Sequence, residues 1–225
     1  MRNILPSAVY DGIRDHLDRI GNSAGPAAWN SAQGEEDTIT GDLCSQLRRP
    51  WTTVTIEDAQ WQWRVDYKKL RGRGPDAPEK ATGCDGVVFI EVSASDGSPI
   101  VSKGLLFQAK KGRLGSTSEL TAQVESMEGI APTGSAVFEY SEDRFTATSG
   151  ATYLGSSAKG RRDHEARASL GTFLANDFLS CSVGLLGMYF DAVRQVLIVS
   201  DQGAVTQRHF SVTHRVRIEV VGQRS

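Results

Sequence analysis

Apolar residues in the first part of the chain recur at a helical interval. Ile4, Leu5, Val9, Ile13, Leu17 and Ile20 fall on one side, which predicts an amphipathic helix over residues 4–20. From Gly21 to Gly34 the pattern lapses, and a loop is predicted. Ile39, Leu43 and Leu47 then return every fourth residue in "EEDTITGDLCSQLRR", which predicts a second helix stopped by Pro50. After it the chain turns to β-branched and aromatic residues in "TTVTI" and "WQWRVDYKKL", the composition of strands. The Gly/Pro-rich "RGRGPDAPEKATG" separates these from the next apolar stretch.

That stretch, "GCDGVVFIEVSASDGSPIVSKGLLFQAKK" over residues 83–111, reads as a hairpin closed by Asp96-Gly97, a pair suited to a two-residue turn. With that loop, Asp85 comes to stand opposite Gln108, and alternation puts Gln108 and Lys110 on one face. Gly86, Val88, Ile90 and Val92 with Leu105, Phe107 and Ala109 form one apolar face; Val87, Phe89 and Leu106 partly cover the other. Strands apolar on both sides belong in the middle of a sheet covered on both faces. Pro99 has no N–H to give to a ladder, so a bulge that shifts the register is expected there.

Beyond the hairpin, residues 116–128 are predicted helical, "SAVFEYS" and "RFTATS" extended with "SEDR" turning between them, residues 157–178 and 180–187 helical, and "RQVLIVS" and "HRVRIEVV" extended. Helices alternating with strands predict an α/β or α+β domain around a central mixed sheet. No repeat or low-complexity segment interrupts it, and one domain over residues 1–225 is expected.

Composition changes this picture little. The chain has 225 residues, 39% hydrophobic and 23% charged, within ordinary globular usage. A formal net charge of −2 supplies no overall attraction to nucleic acid, so any such binding must rest on local basic clusters. Cys44, Cys84 and Cys181 are odd in number and far apart, which fits neither a disulfide framework nor zinc spacing and suggests buried thiols. No segment approaches the length of a membrane span, and the first twenty residues carry charge throughout, so a cytoplasmic protein is expected.

The candidate chemistry gathers where polar residues interrupt apolar strands. A lysine at the end of a buried strand needs partners, since an unpaired buried charge costs several kcal/mol, roughly. A structural Asp85–Lys110 pair at a sheet edge would satisfy that need, and the hairpin by itself leaves this reading open. A second acid adds to it: on a helical wheel Glu36 lies about 20° from the centre of the Ile39, Leu43, Leu47 stripe, against about 80° for Glu35. Glu36 is therefore expected to point inward, toward Asp85.

Taken together, Glu36 in "GEEDTIT", Asp85 in "GCDGVVFI" and Gln108-Ala109-Lys110 in "LLFQAKK" resemble the PD-(D/E)XK nuclease superfamily, the restriction-endonuclease-like fold. Its pattern is a glutamate on an early helix, an aspartate on one hairpin strand and an acid-x-lysine on the next. Glutamine in place of the acid makes the chain most similar to the Mrr-type branch. The resemblance covers residues 34–140; residues 150–225 would complete or extend the domain. Cys84 stands where the pattern's name has proline, and the literal string "PDAPEK" is a decoy, since its prolines leave no strand to carry it.

The resemblance implies a central mixed β-sheet with helices on both faces and a Mg²⁺-dependent endonuclease acting on nucleic acid, DNA foremost, in restriction or anti-phage defence. Mg²⁺, or Mn²⁺, would be held by Glu36, Asp85, the amide oxygen of Gln108 and the carbonyl of Ala109, all oxygen donors. Lys110 would orient the attacking water or offset developing charge. Cutting both strands of a duplex would favour a homodimer, and a defence role would equally allow a larger defence complex. Gln123 on the following helix is a further candidate near the metal, and Lys68, Lys69, Arg71, Arg73, Lys111 and Arg113 are candidate phosphate contacts, as are Arg161 and Arg162. Each has an ordinary alternative as a solvated surface residue. Trp51, Trp61 and Trp63 are expected in the core, with stacking of one of them on a base as the alternative, and the four histidines show no metal spacing. A catalytically inactive nucleic-acid-binding subunit, with Gln108 marking a lost site, is the competing expectation.

Overall fold

The computed structural model describes residues 1–31, 35–70, 83–112, 118–158, 167–201 and 204–222. Two helices open the chain, α1 (Ser7–Ser31) and α2 (Glu36–Gln46). The strands are β1 (Arg49–Ile56), β2 (Ala59–Lys69), β3 (Gly86–Ala94), β4 (Pro99–Lys111), β5 (Ser135–Tyr140), β6 (Phe145–Ser149), β7 (Ala168–Ser169), β8 (Leu185–Leu186), β9 (Met188–Asp191), β10 (Val196–Asp201), β11 (Ala204–His209) and β12 (His214–Gly222). Helix α3 (Ser118–Ile130) connects β4 to β5, α4 (Gly150–Ala158) follows β6, and α5 (Leu170–Thr172) runs into a wider π-helical turn, Phe173–Phe178.

A nine-stranded mixed sheet, mostly antiparallel, has the order β1-β2-β12-β3-β4-β5-β6-β7, with β8 pairing β4 off that path. Two neighbour pairs are parallel, β12 with β3 and β4 with β5. One face buries Val88, Ile90, Leu105, Phe107 and Ala109 against α1, α2 and the π-helical turn. The other buries Val87, Phe89 and Leu106 against α3, α4 and a separate three-stranded sheet, β11-β10-β9. This is the division that the alternation of residues 86–109 predicts. It places β3 and β4 in the middle of the molecule, where burying each large apolar side chain contributes about 1.5–3 kcal/mol.

The hairpin register puts Gly86 opposite Phe107 and Val92 opposite Val101. Near the turn it differs from the two-residue loop expected: Gly97 N–H donates to Ala94 O, Ala94 N–H to Ser98 O, and Ser93 pairs with Pro99. A bulge between Val92 and Ser93 takes up the extra residue beside Pro99, so the pairing at the far end stays as the sequence suggests.

Other boundaries differ for physical reasons. The expected loop over residues 21–34 is helical as far as Ser31. Gly21 belongs to that helix because it crosses Gly171 backbone to backbone; an added Cβ would lie 2.5 Å from the Gly171 Cα. Helix α2 stops at Gln46, before Pro50, and Pro50 lies in edge strand β1 beside a register shift, where no ladder bond is lost. His16, buried under α2, meets the Leu47 carbonyl at 2.9 Å and so satisfies a group that the helix end leaves free. In the expected helix over 157–178, residues 159–166 lie outside the described residues; α4 precedes them, and β7, α5 and the π-helical turn follow. The expected helix over 180–187 is instead a turn leading into β8. Among the described residues no helix is long and apolar enough to cross a membrane.

Candidate functional site

Asp85 immediately precedes β3, and its main chain is gripped from both sides. Its N–H donates to Phe107 O at 3.0 Å, and its carbonyl accepts the N–H groups of Thr213 and His214, both at 3.0 Å. The next residue must be glycine: a Cβ on Gly86 would come within 2.2 Å of the Phe107 ring and 2.8 Å of the His214 carbonyl oxygen. That ring is itself stacked on Phe138, centroids 4.5 Å apart. The aspartate is thus held at the mouth of a tightly packed strand end, its side chain only half-buried.

Across the hairpin, Gln108 is buried, and its Nε2 donates to Asp85 Oδ2 at 2.6 Å. The Ala109 N–H donates to the same oxygen at 2.7 Å. Lys110 follows with its side chain 28% exposed and its Nζ 3.5 Å from Glu36 Oε1. Glu36 opens α2, and its Oε2 accepts the Lys111 N–H at 2.8 Å. Glu36 therefore reaches across the end of β4 and bonds to it directly. Asp85, Gln108, Lys110 and Glu36 stand at one end of the β3–β4 pair, and the Ala109 backbone lies among them. Tyr140, fully buried on β5, is within electrostatic range of both acids; burial first, then Cys44 and the Asp85 and Glu36 charges, hold its hydroxyl well above the ordinary tyrosine range.

Two further ties fasten α2 to the sheet. Thr40 Oγ1 bonds the Glu36 carbonyl at 2.9 Å and the Tyr140 hydroxyl at 3.2 Å. One turn earlier, Asp37 Oδ1 faces His214 Nε2 at 3.0 Å and Asp37 Oδ2 accepts Lys69 Nζ at 2.7 Å. His214 Nδ1 lies 3.0 Å from the Tyr67 hydroxyl. Burial pushes His214 down to about 4 despite the Asp37 charge, so the ring is neutral at neutral pH. Burial works against the Asp37 carboxylate as well, but the Lys69 hydrogen bond and the His214 contact outweigh it and hold the group below its usual range. Asp37, Thr40, Tyr67, Tyr140 and His214 carried no mark of function in the sequence; only Asp37, next to Glu36 in the first helical turn, was in sight of one.

The supporting candidates divide. Gln123 lies on α3 against Gly83, two residues before Asp85, with its Oε1 buried and without a hydrogen-bond partner among the described residues. Lys69 is bound to Asp37, and the Lys111 ammonium sits over the Trp29 ring at 4.9 Å. Lys68 is exposed at the end of β2. Arg71, Arg73, Arg113, Arg161 and Arg162 lie outside the described residues. Trp61 and Trp63 are core residues, whereas Trp51 is 43% exposed with Arg64 stacked over it at 4.6 Å.

Chemically, the cluster offers two carboxylates, a carboxamide and an ammonium around a partly open strand end. These oxygen donors suit a hard divalent cation, and the neighbouring lysine suits an anionic substrate. Among the described residues no group of three or more His, Cys, Asp or Glu side chains gathers as a metal centre, here or elsewhere; the cluster itself brings two carboxylates, Glu36 and Asp85. No family model, curated protein or solved structure matches the chain.

Proposed function

We propose that the protein is a divalent-cation-dependent nuclease that hydrolyses phosphodiester bonds of nucleic acid, DNA foremost, on a restriction-endonuclease-like fold. The observation that carries this reading is the meeting of four separately placed side chains: Asp85 and Gln108 bonded across the hairpin, with Glu36 and Lys110 3.5 Å apart beside them. The order of elements supports it too, since an early helix bears the glutamate, the hairpin bears Asp and Gln-x-Lys, and helices cover both faces of a mixed sheet. A role in restriction or anti-phage defence follows only from resemblance to the Mrr-type branch.

Glu36, Asp85, the Gln108 amide oxygen and the Ala109 carbonyl are the groups that would hold Mg²⁺ or Mn²⁺. When bound, such a cation offsets charge on the phosphate and lowers the pKa of a coordinated water. The protein's own contribution is placement. The Ala109 N–H and Gln108 fix one Asp85 oxygen, the Lys111 N–H fixes one Glu36 oxygen, and Lys110 brings a positive charge to where negative charge develops. Gln108 now presents its nitrogen to Asp85; a half-turn of the amide would present the oxygen instead. Replacing an acid by Gln108 removes one negative charge, so binding weaker than at a three-carboxylate site is expected.

Cleavage of duplex DNA in Mg²⁺ tests the reading. Asp85→Ala and Lys110→Ala should each abolish cleavage while circular dichroism reports an intact fold, and cleavage equal to wild type in both variants would refute it. A non-catalytic nucleic-acid-binding subunit is the second reading, favoured by the amide that stands where a third carboxylate would strengthen the site. Calorimetry separates the two: a live site binds Mn²⁺ and loses that binding in Glu36→Gln, whereas a silent one gives no heat in either protein.

A further inference from the structure

Helix α2 carries Glu36 at its first position, the least secure place on a helix, because the first turn has N–H groups with no partner inside it. The residue before it, Glu35, makes no side-chain cap. A capping bond usually contributes about 1 kcal/mol, so this turn depends on other contacts for its position. Asp37 supplies them with both carboxylate oxygens, one to Lys69 on β2 and one to His214 on β12. His214 is 1% exposed and cannot touch substrate or a cation in the mouth. Its ring nitrogens are sorted by their neighbours: Nε2 faces an acceptor-only carboxylate and carries the proton, leaving Nδ1 to accept from the Tyr67 hydroxyl. The same residue's backbone N–H donates to the Asp85 carbonyl at 3.0 Å. His214 thus touches the helix that bears Glu36 through its side chain and the strand end that bears Asp85 through its main chain.

We propose that Asp37 and His214, backed by Lys69 and Tyr67, are positioning residues that set Glu36 against β4 and keep it in register with Asp85. The catalytic consequence rests on the nuclease reading; the geometric one does not. Ordered outer contacts of this kind typically change metal affinity or activity by about 10–100-fold when removed.

Amide hydrogen exchange followed residue by residue in the full chain reads the geometry directly, because the Lys111 N–H is bonded to the Glu36 carboxylate. In His214→Ala the Lys111 amide should exchange at least about tenfold faster while Val88 and Ile90 in β3 stay protected; Asp37→Asn should act in the same direction, and His214→Gln, which keeps a donor toward Asp37, should restore much of the protection. Asp37→Asn, altering a partly exposed side chain, decides the matter if His214→Ala does not fold. Mn²⁺ calorimetry and DNA cleavage on the same proteins should show affinity down about tenfold and kcat lowered with KM for DNA unchanged. Lys111 protection unchanged in the folded variants would overturn the proposal, as would unchanged Mn²⁺ affinity in a protein whose wild type binds the ion. If wild type binds no Mn²⁺ and cuts nothing, the nuclease reading falls, and the Lys111 amide alone still decides whether these residues position Glu36.

Discussion

Strand β4 carries three lysines, and two of them, Lys103 and Lys110, do opposite things. Lys103 is fully buried on the face of Leu105 and Phe107, where its Nζ donates to the Phe178 carbonyl at the end of the π-helical turn and lies 4.8 Å from the Phe178 ring centre. Burial pushes it down to about 8 against the opposing influence of Cys181. Lys110 stands at the strand's open end, 28% exposed and beside a carboxylate that the Lys111 N–H also holds. Depth alone therefore does not identify a working lysine. Lys103 has a carbonyl and a ring and closes a seam in the core, whereas Lys110 has the Glu36 carboxylate beside it and is partly exposed.

The sharpest break of that contrast is to remove each ammonium in turn. Lys110→Ala should abolish detectable Mg²⁺-dependent cleavage, a loss of at least the 10²–10³-fold, roughly, that deleting one transition-state donor causes, with a thermal midpoint close to wild type. A large fall in midpoint without loss of cleavage would move Lys110 into the structural class beside Lys103. Lys103→Met should leave cleavage unchanged and alter stability in a pH-dependent way. The folded chain releases this proton near pH 8, whereas the unfolded chain keeps it to about 10.5. Between those values the unfolded state binds more protons, so wild-type stability rises with pH, on the order of 3 kcal/mol across the window. The burial cost is present in full below pH 8 and relieved above it. Denaturant titrations between pH 7.5 and about 10.5 should show this rise in wild type and its absence in Lys103→Met. Parallel curves for the two proteins would mean that Lys103 is not titrating in the core.

A smaller test concerns the packing that holds the mouth together. Gly86→Ala forces a methyl into the Phe107 ring and should cost about 1–3 kcal/mol. Because Asp85 is the neighbouring residue, cleavage should fall as well, even where the protein remains folded. Gly97→Ala at the other end of the same hairpin, where nothing lies within 4 Å of the added carbon, strains only the turn. Its cleavage should stay at the wild-type level, which separates damage at the mouth from damage to the hairpin.

The same contrast shows what could be read from the chain before its structure. Period-two alternation over residues 86–92 and 101–109 gave the faces of β3 and β4; their register was read from the Asp96-Gly97 turn, and it holds from Gly86 to Val92 because the bulge beside Pro99 offsets the longer loop. The opposition of Asp85 and Gln108 followed from that register. Contacts distant in sequence left no local trace. His214 opens a strand whose alternation was plain, but nothing nearby says that β12 inserts between β2 and β3, and without that insertion its meeting with Asp37 is invisible. Lys103 drew no reading from the sequence, since its partner Phe178 belongs to a π-helical turn that periodicity does not distinguish from an α-helix. Gly21 misled in another way: glycine signals a break when it is chosen for conformation and no break when it is chosen, as here, for a close helix crossing.

Lys111 supplies the mildest test, because it sits between the two kinds of lysine. Its backbone N–H helps to hold Glu36, but its side chain is exposed and rests over Trp29. Lys111→Ala keeps the backbone donor and removes only the ammonium. Cleavage at saturating DNA should therefore change little, while the dependence of DNA affinity on salt should weaken by about one counterion if the ammonium meets a phosphate. Binding measured over a range of salt concentrations distinguishes the outcomes. An unchanged slope leaves Lys111 as a lid on Trp29, and a loss of kcat would show that the side chain, and not only the N–H, governs how Glu36 is held.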